Sequence, residues 1–151
     1  IIEMKVEMDK AICINCSQQS ENAIEDLINV SKFVIEHVGN VNPTVFYDLQ
    51  KHYKDAWKIM EDHKWQFVLN MIKTNIERGI EEGIYRDDLH VDVIARLYVA
   101  STENIMNPDI FPWPEFKFQE VFTEMIRFHI KGMANEEGIK YLKQTMKHEQ
   151  F

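Results

Sequence analysis

The sequence predicts an all-α fold, an antiparallel bundle of about six to seven helices in one domain. Apolar residues recur at three- and four-residue spacing along most of the chain, and nothing alternates with period two over a useful length. Four prolines and five glycines are the only strong breakers, and they fall mostly between the periodic segments. At 151 residues the chain is long enough for one real core and too short for two.

The first helix is expected over residues 2–16. The second opens near Ser20, a good N-cap, and puts Ile24, Leu27, Ile28, Ser31, Val34, Ile35 and Val38 on one face. Gly39-Asn40 ends it, with the glycine as the residue beyond the C-cap. Asn42-Pro43 starts a third helix, asparagine capping and proline in the first turn; it carries Val45, Phe46, Leu49 and Tyr53.

A long fourth helix spans residues 55–82, about 40 Å at 1.5 Å per residue. Its middle, WQFVLNMI, is apolar on most sides and is expected at the centre of the fold. Gly79 lies inside this helix, where a missing side chain would let another helix approach closely; Gly83 ends it, and Arg86-Asp87-Asp88 turns the chain. A fifth helix covers 91–106, NPDIFPWPEF is a proline-braked loop, and a sixth helix covers 118–133. Asn135 caps a short last helix ending near Met146.

Composition narrows the function classes. The chain carries 25 acidic and 17 basic residues, a net charge of −8, with no basic cluster of the kind a phosphate backbone needs. No apolar run approaches the ~18 residues of a membrane span, so no membrane partner is expected. IIEMKVEMDK has neither the basic n-region nor the cleavage site of a secretory signal. Because the chain starts at isoleucine, already in helical sequence, it reads as the later part of a longer polypeptide. Cys13 and Cys16 form a lone C-x-x-C without a second pair or a βαβ pattern, and read as two ordinary thiols in a reducing cytoplasm.

The stretch G-x-x-x-G-x-Y-R-x-D, Gly79 to Asp88, is followed by an apolar helix with Ala95-Arg96-Leu97 at its core. This pattern resembles the TetR-type (TetR/AcrR) transcriptional regulators. NPTVFYDLQKHY (42–53) with DAWKIMEDHK (55–64) resembles the C-terminal ligand-sensing and dimerisation domain of one branch of that family. The resemblance is specific from Asn42 to about Met133 and diffuse before Asn40. It departs from the family at Lys54, where proline is frequent, at His90, where Asp or Asn usually caps, and at Lys117, where a serine would. It implies sensor helices over 1–89, dimerisation helices over 90–134 and a C-terminal helix over 135–151. The family's helix-turn-helix of about 50 residues is absent, so DNA would be reached only through an upstream domain outside this chain.

The last two long helices ask for a partner on their own. Asp92, Arg96 and Glu103 occupy a narrow strip of the fifth, while Val91, Ile94, Ala95, Leu97, Tyr98, Ser101, Thr102, Ile105 and Met106 fill a wide arc. On the sixth, Phe118, Val121, Phe122, Met125, Ile126, Phe128, Ile130 and Met133 cover about 200°, more than the ~100° one core requires. The loop 107–116 or the last helix is one possible cover, and a second copy of the chain is the expected one. Ile94, Leu97, Ser101, Ile105, Phe118, Phe122, Met125 and His129 are then candidate homodimer residues, in an isologous four-helix interface of about 1,200 Å².

Phe46, Tyr47, Tyr53, Trp57 and Phe67 gather around the third and fourth helices with Met60 and Met71, with Phe33 and His37 on the second and Tyr98 on the fifth. Residue by residue these suit an ordinary core. The family resemblance implies an adaptable pocket among them for an apolar or aromatic small molecule. His63, Gln66, Asn70 and Thr74 share a strip of the fourth helix that reads as solvated. No histidine follows a glutamate at metal-bundle spacing, and no H-E-x-x-H, G-x-S-x-G or phosphate-cradling loop occurs. No catalytic residue, metal ligand or cofactor is therefore assigned. The rival readings are a free-standing helical adaptor and, more remotely, a metal- or cofactor-dependent bundle enzyme.

Overall fold

The computed structural model describes residues 2–144, which form an all-helical bundle without a strand. The first helix, α1 (Ile2–Gln19), runs a turn further than its sequence suggests. Ser20 closes α1 instead of opening the next helix: its Oγ donates to Cys16 O at 2.7 Å, and its carbonyl accepts from Arg78. The N-cap of α2 (Ala23–Val38) is Asn22, whose side chain accepts from Glu25 N at 2.9 Å. Two good capping residues lie two apart, and the bonds from Arg78 and from Asn29 to Ser20 decide between them. Gly39 is itself the C-cap, at an ordinary right-handed φ of −59°, not a left-handed residue beyond it.

Asn42 caps α3 (Pro43–His52) by accepting from Thr44 N at 3.0 Å, with proline at the first turn where its missing N–H costs nothing. The next helix starts one residue earlier than expected and changes character midway. It comprises α4 (Lys54–Asp62), a π-helical segment His63–Val68, and α5 (Leu69–Glu81). WQFVLNMI is thus not uniformly central: Trp65, Phe67 and Val68 are half-buried in the π segment, and full burial begins at Leu69.

His90 caps α6 (Val91–Ile105), but its Nδ1 accepts from Val93 N only at 3.4 Å. Lys117 precedes α7 (Phe118–Met133) without any side-chain cap bond. Asn135 does cap α8 (Glu136–Gln144), accepting from Gly138 N at 3.0 Å. The expected extension of α8 to Met146 lies outside the described residues.

The core is built by α2, α5, α6 and α7. Ile24, Leu27 and Ile28 from α2 meet Ile72 and Ile76 from α5, Ala95 and Val99 from α6, and Phe122, Ile126 and Ile130 from α7. The spacings are those of one helix face each, and each such side chain taken fully out of water contributes about 1.5–3 kcal/mol. By contrast α3 and α4 contain no buried residue, and α3 packs on α4 with only marginal contact elsewhere. No helix among the described residues is long and apolar enough to cross a membrane.

Candidate functional site

The turn after α5 is bonded on both sides to the helices around it. Gly83, at φ +73°, ends the helix in a left-handed conformation that favours glycine. Gly83 N donates to Ile80 O and Ile84 N to Gly79 O, the paired bonds of a Schellman motif. Gly79 is small for a different reason than helix–helix approach. A Cβ there would lie 2.1 Å from Tyr85 Cδ2, so it is the Tyr85 ring, folded back on the helix, that needs the space.

Tyr85 is buried, and its hydroxyl donates to Asn75 Oδ1 at 3.0 Å. Asn75 Nδ2 in turn donates to Ala23 O and to Asp26 Oδ2, both at 2.8 Å. Burial raises the Asp26 carboxyl above its usual range, opposed by the bond from Asn75. This network ties the start of α2 to α5 and the turn. Arg86 secures the other side, donating to Gly132 O at 2.8 Å and pairing with Asp88 at 2.9 Å. Asn135 donates to Gly83 O and Tyr85 O, and Arg86 N donates to Met133 O. The charged turn therefore clamps the ends of α7 and α8 to α5.

The residues expected to line a pocket are not gathered into one cavity. Tyr98 belongs to the core, its ring tilted at 54° against His129 with 4.8 Å between centroids. Tyr47 and Tyr53 are 51% and 63% exposed, because α3 packs chiefly on α4 and its outer face meets water. His37 is exposed beside Phe33, its ring 4.1 Å away. Phe33, Phe46, Trp57, Met60, Phe67 and Met71 are half-buried. Shallow, open concavities lie along Asn135, Ile139 and Lys143 and beside Phe128. Gln66, Asn70 and Thr74 are exposed as expected, whereas His63 is half-buried and stacked on Phe67 at 5.2 Å.

The candidate interface residues divide. Ile105 and Phe122 are buried in the chain's own core and have almost no surface to offer a second copy. Ile94, Ser101, Phe118, Met125 and His129 are half-buried. Leu97 is 58% exposed. Phe128, on α7, is 84% exposed, and Val93 lies one turn before Leu97 and is exposed as well. Neither the loop 107–116 nor the described part of α8 covers them, and Ile110, Trp113 and Phe116 of the loop are themselves exposed. Val93 was detectable as the i−4 neighbour of Leu97, and Phe128 lay on the apolar arc of its helix.

His129 is half-buried on α7 against the Tyr98 ring. Burial lowers its imidazole to about 4, and its Nε2 is buried with no hydrogen-bond partner. Cys13 and Cys16 are free thiols, and burial pushes Cys13 up to about 11, well away from a reactive thiolate at neutral pH. Among the described residues no group of three or more His, Cys, Asp or Glu side chains is placed to hold a metal ion. Comparison with protein families, with curated proteins and with solved structures finds no match.

Proposed function

We propose that this chain is the ligand-sensing and homodimerisation domain of a TetR-type transcriptional regulator, working in the cytoplasm. The observation that carries the reading is that two large apolar side chains, Leu97 on α6 and Phe128 on α7, stand exposed on helices packed against each other. A contiguous exposed apolar patch of several hundred Å² marks an interaction surface, and Val93, Leu97 and Phe128 are the exposed residues that would build one here. An isologous pairing would bring this face against its own copy. The G-x-x-x-G-x-Y-R-x-D turn adds support, since it clamps α7, which carries Phe128, to α5, the path a sensing domain needs.

The effector in this reading is a small apolar or aromatic molecule near the half-buried Phe46, Trp57, Met60, Phe67 and Met71. Binding would favour one arrangement of α1 over another and so alter the spacing of DNA-reading heads carried elsewhere in the polypeptide. A second reading, a helical adaptor binding a different protein, is favoured by the exposed Ile110, Trp113 and Phe116 beside the same helices.

Sedimentation equilibrium separates the two. The homodimer reading expects self-association that Leu97→Glu or Phe128→Glu weakens at least tenfold, as charges placed at an interface core do. A chain that stays monomeric at every concentration sinks the homodimer and leaves the adaptor.

A further inference from the structure

Residues 32–68 contain no fully buried side chain, a gap of this length found nowhere else among the described residues. On one side of it lie Leu27, Ile28 and Ser31 of α2, on the other Leu69 and Ile72 of α5, all buried. The α3–α4 hairpin inside the gap holds itself together but touches the rest lightly, chiefly through α1 and the π segment. Its apolar residues are shared with solvent: Phe46, Leu49, Trp57 and Met60 are half-buried, and Val45, Tyr47 and Tyr53 are exposed.

The two ends of the hairpin differ from regular helix. At the first end, α2 stops at Gly39 and Val41 N donates to Val38 O. At the other, six residues, His63–Val68, follow π geometry, in which the i→i+5 bonds are wider and the chain carries an extra residue per turn. Trp65 and Val68 pack against the core at this second end, and one carboxylate adds a polar hold. Glu103 of α6 accepts from Lys64 Nζ at 3.1 Å and from Trp65 Nε1 at 3.2 Å. Lys64 also reaches back to Glu61 of α4 at 2.6 Å and lies over the Trp57 ring, 5.6 Å from its centroid. A chain of contacts thus runs from α4 through Lys64 to α6.

We infer that residues 40–62 open and close on the bundle as one unit, with the π segment as the hinge and Glu103, acting through Lys64 and its contacts with Glu61 and Trp57, as the latch. The free energy of a local opening follows the apolar contact it gives up. Opening the hairpin surrenders half-buried side chains, whereas opening α5 surrenders Ile72 and Ile76 from the centre of the core. The inference stands on burial and holds whether or not the chain senses an effector. Opening presents the inner aromatic and methionine side chains of α3 and α4 to solvent while the four-helix core stays closed.

Hydrogen exchange of the whole chain, read by mass spectrometry, tests this. Amides in 43–62 are expected to exchange at least about a hundredfold faster than those in 69–81, with a rate common to α3 and α4. Glu103→Ala is expected to speed exchange in 43–62 by about two- to fivefold, the range for partly exposed ion pairs, and to leave 69–81 unchanged. Glu124→Ala, which removes an i,i+3 pair with Arg127 on α7, serves as a control for surface charge and is expected to change neither region. Equal protection of 43–62 and 69–81 overturns the inference. A Glu103→Ala variant that accelerates both regions alike, or neither, overturns the latch.

Discussion

Replacing Gly79 by alanine should destabilise the chain, although alanine is the better helix former by about 1 kcal/mol. The Cβ would lie 2.1, 2.4 and 2.5 Å from three atoms of the Tyr85 ring, all far inside contact distance. That ring is 1% exposed and held by its hydroxyl bond to Asn75, so it cannot turn aside freely. Overpacking of this kind costs about 1–3 kcal/mol. Displacing the ring also leaves the buried Asn75 acceptor without its donor, a further ~1–3 kcal/mol. Set against the propensity gain, the net loss is about 1–5 kcal/mol, centred near 3. Urea unfolding followed by circular dichroism at one fixed protein concentration measures it, as a lower midpoint at unchanged slope. Gly132→Ala is the matched control, because its Cβ meets nothing within 4 Å; it is expected to be neutral or to gain up to about 1 kcal/mol. If Gly79→Ala also proved stabilising, the packing of Tyr85 against Gly79 would be refuted.

Three further expectations follow from particular residues. His129 is held neutral by burial, with its folded value lowered from 6.5 to about 4. Its contribution is therefore fully present above pH 6.5 and lost as pH falls towards 4, about 3 kcal/mol in all; His129→Phe should remove this acid limb from the urea midpoint measured against pH. The weak start of α6 and the uncapped start of α7 should each be improved by about 0.5–1 kcal/mol in His90→Asp and Lys117→Asp, seen as higher thermal midpoints that add in the double variant. Phe128→Glu should leave the urea midpoint of the isolated monomer within about 0.5 kcal/mol, since an exposed side chain contributes little to its own core; a larger loss would mean that Phe128 is part of that core.

Much of the architecture was legible because caps and breakers are local. Asn42-Pro43, Gly83 and Asn135 each announce a helix end through chemistry contained in a few residues. Ser20 and Asn22 compete as caps on equal local terms, and the choice rests on Arg78, 58 residues away from Ser20. The π segment left no trace in the periodicity, because WQFVLNMI is apolar enough to satisfy any helical period. Gly79 signalled a close approach without naming Tyr85, since the ring reaches it only after the chain turns. The same ambiguity governs the site. An apolar arc of about 200° says that α7 carries more apolar surface than one core needs but not which residues point inward. Phe122 and Ile105 went to the core, while Phe128 and Leu97 were left outside. The aromatic residues of α3 and α4 were visible in the sequence, but how lightly that hairpin packs depends on long-range contacts that no local pattern encodes.

Native mass spectrometry of the whole chain tests the central claim most directly. The account predicts a dimer of twice the 18.0 kDa chain, about 36 kDa, that Leu97→Glu or Phe128→Glu converts to monomer. It also predicts that apolar aromatic compounds add mass in steps of up to two per dimer, lost on denaturation. A species that remains at 18.0 kDa across micromolar concentrations would contradict it.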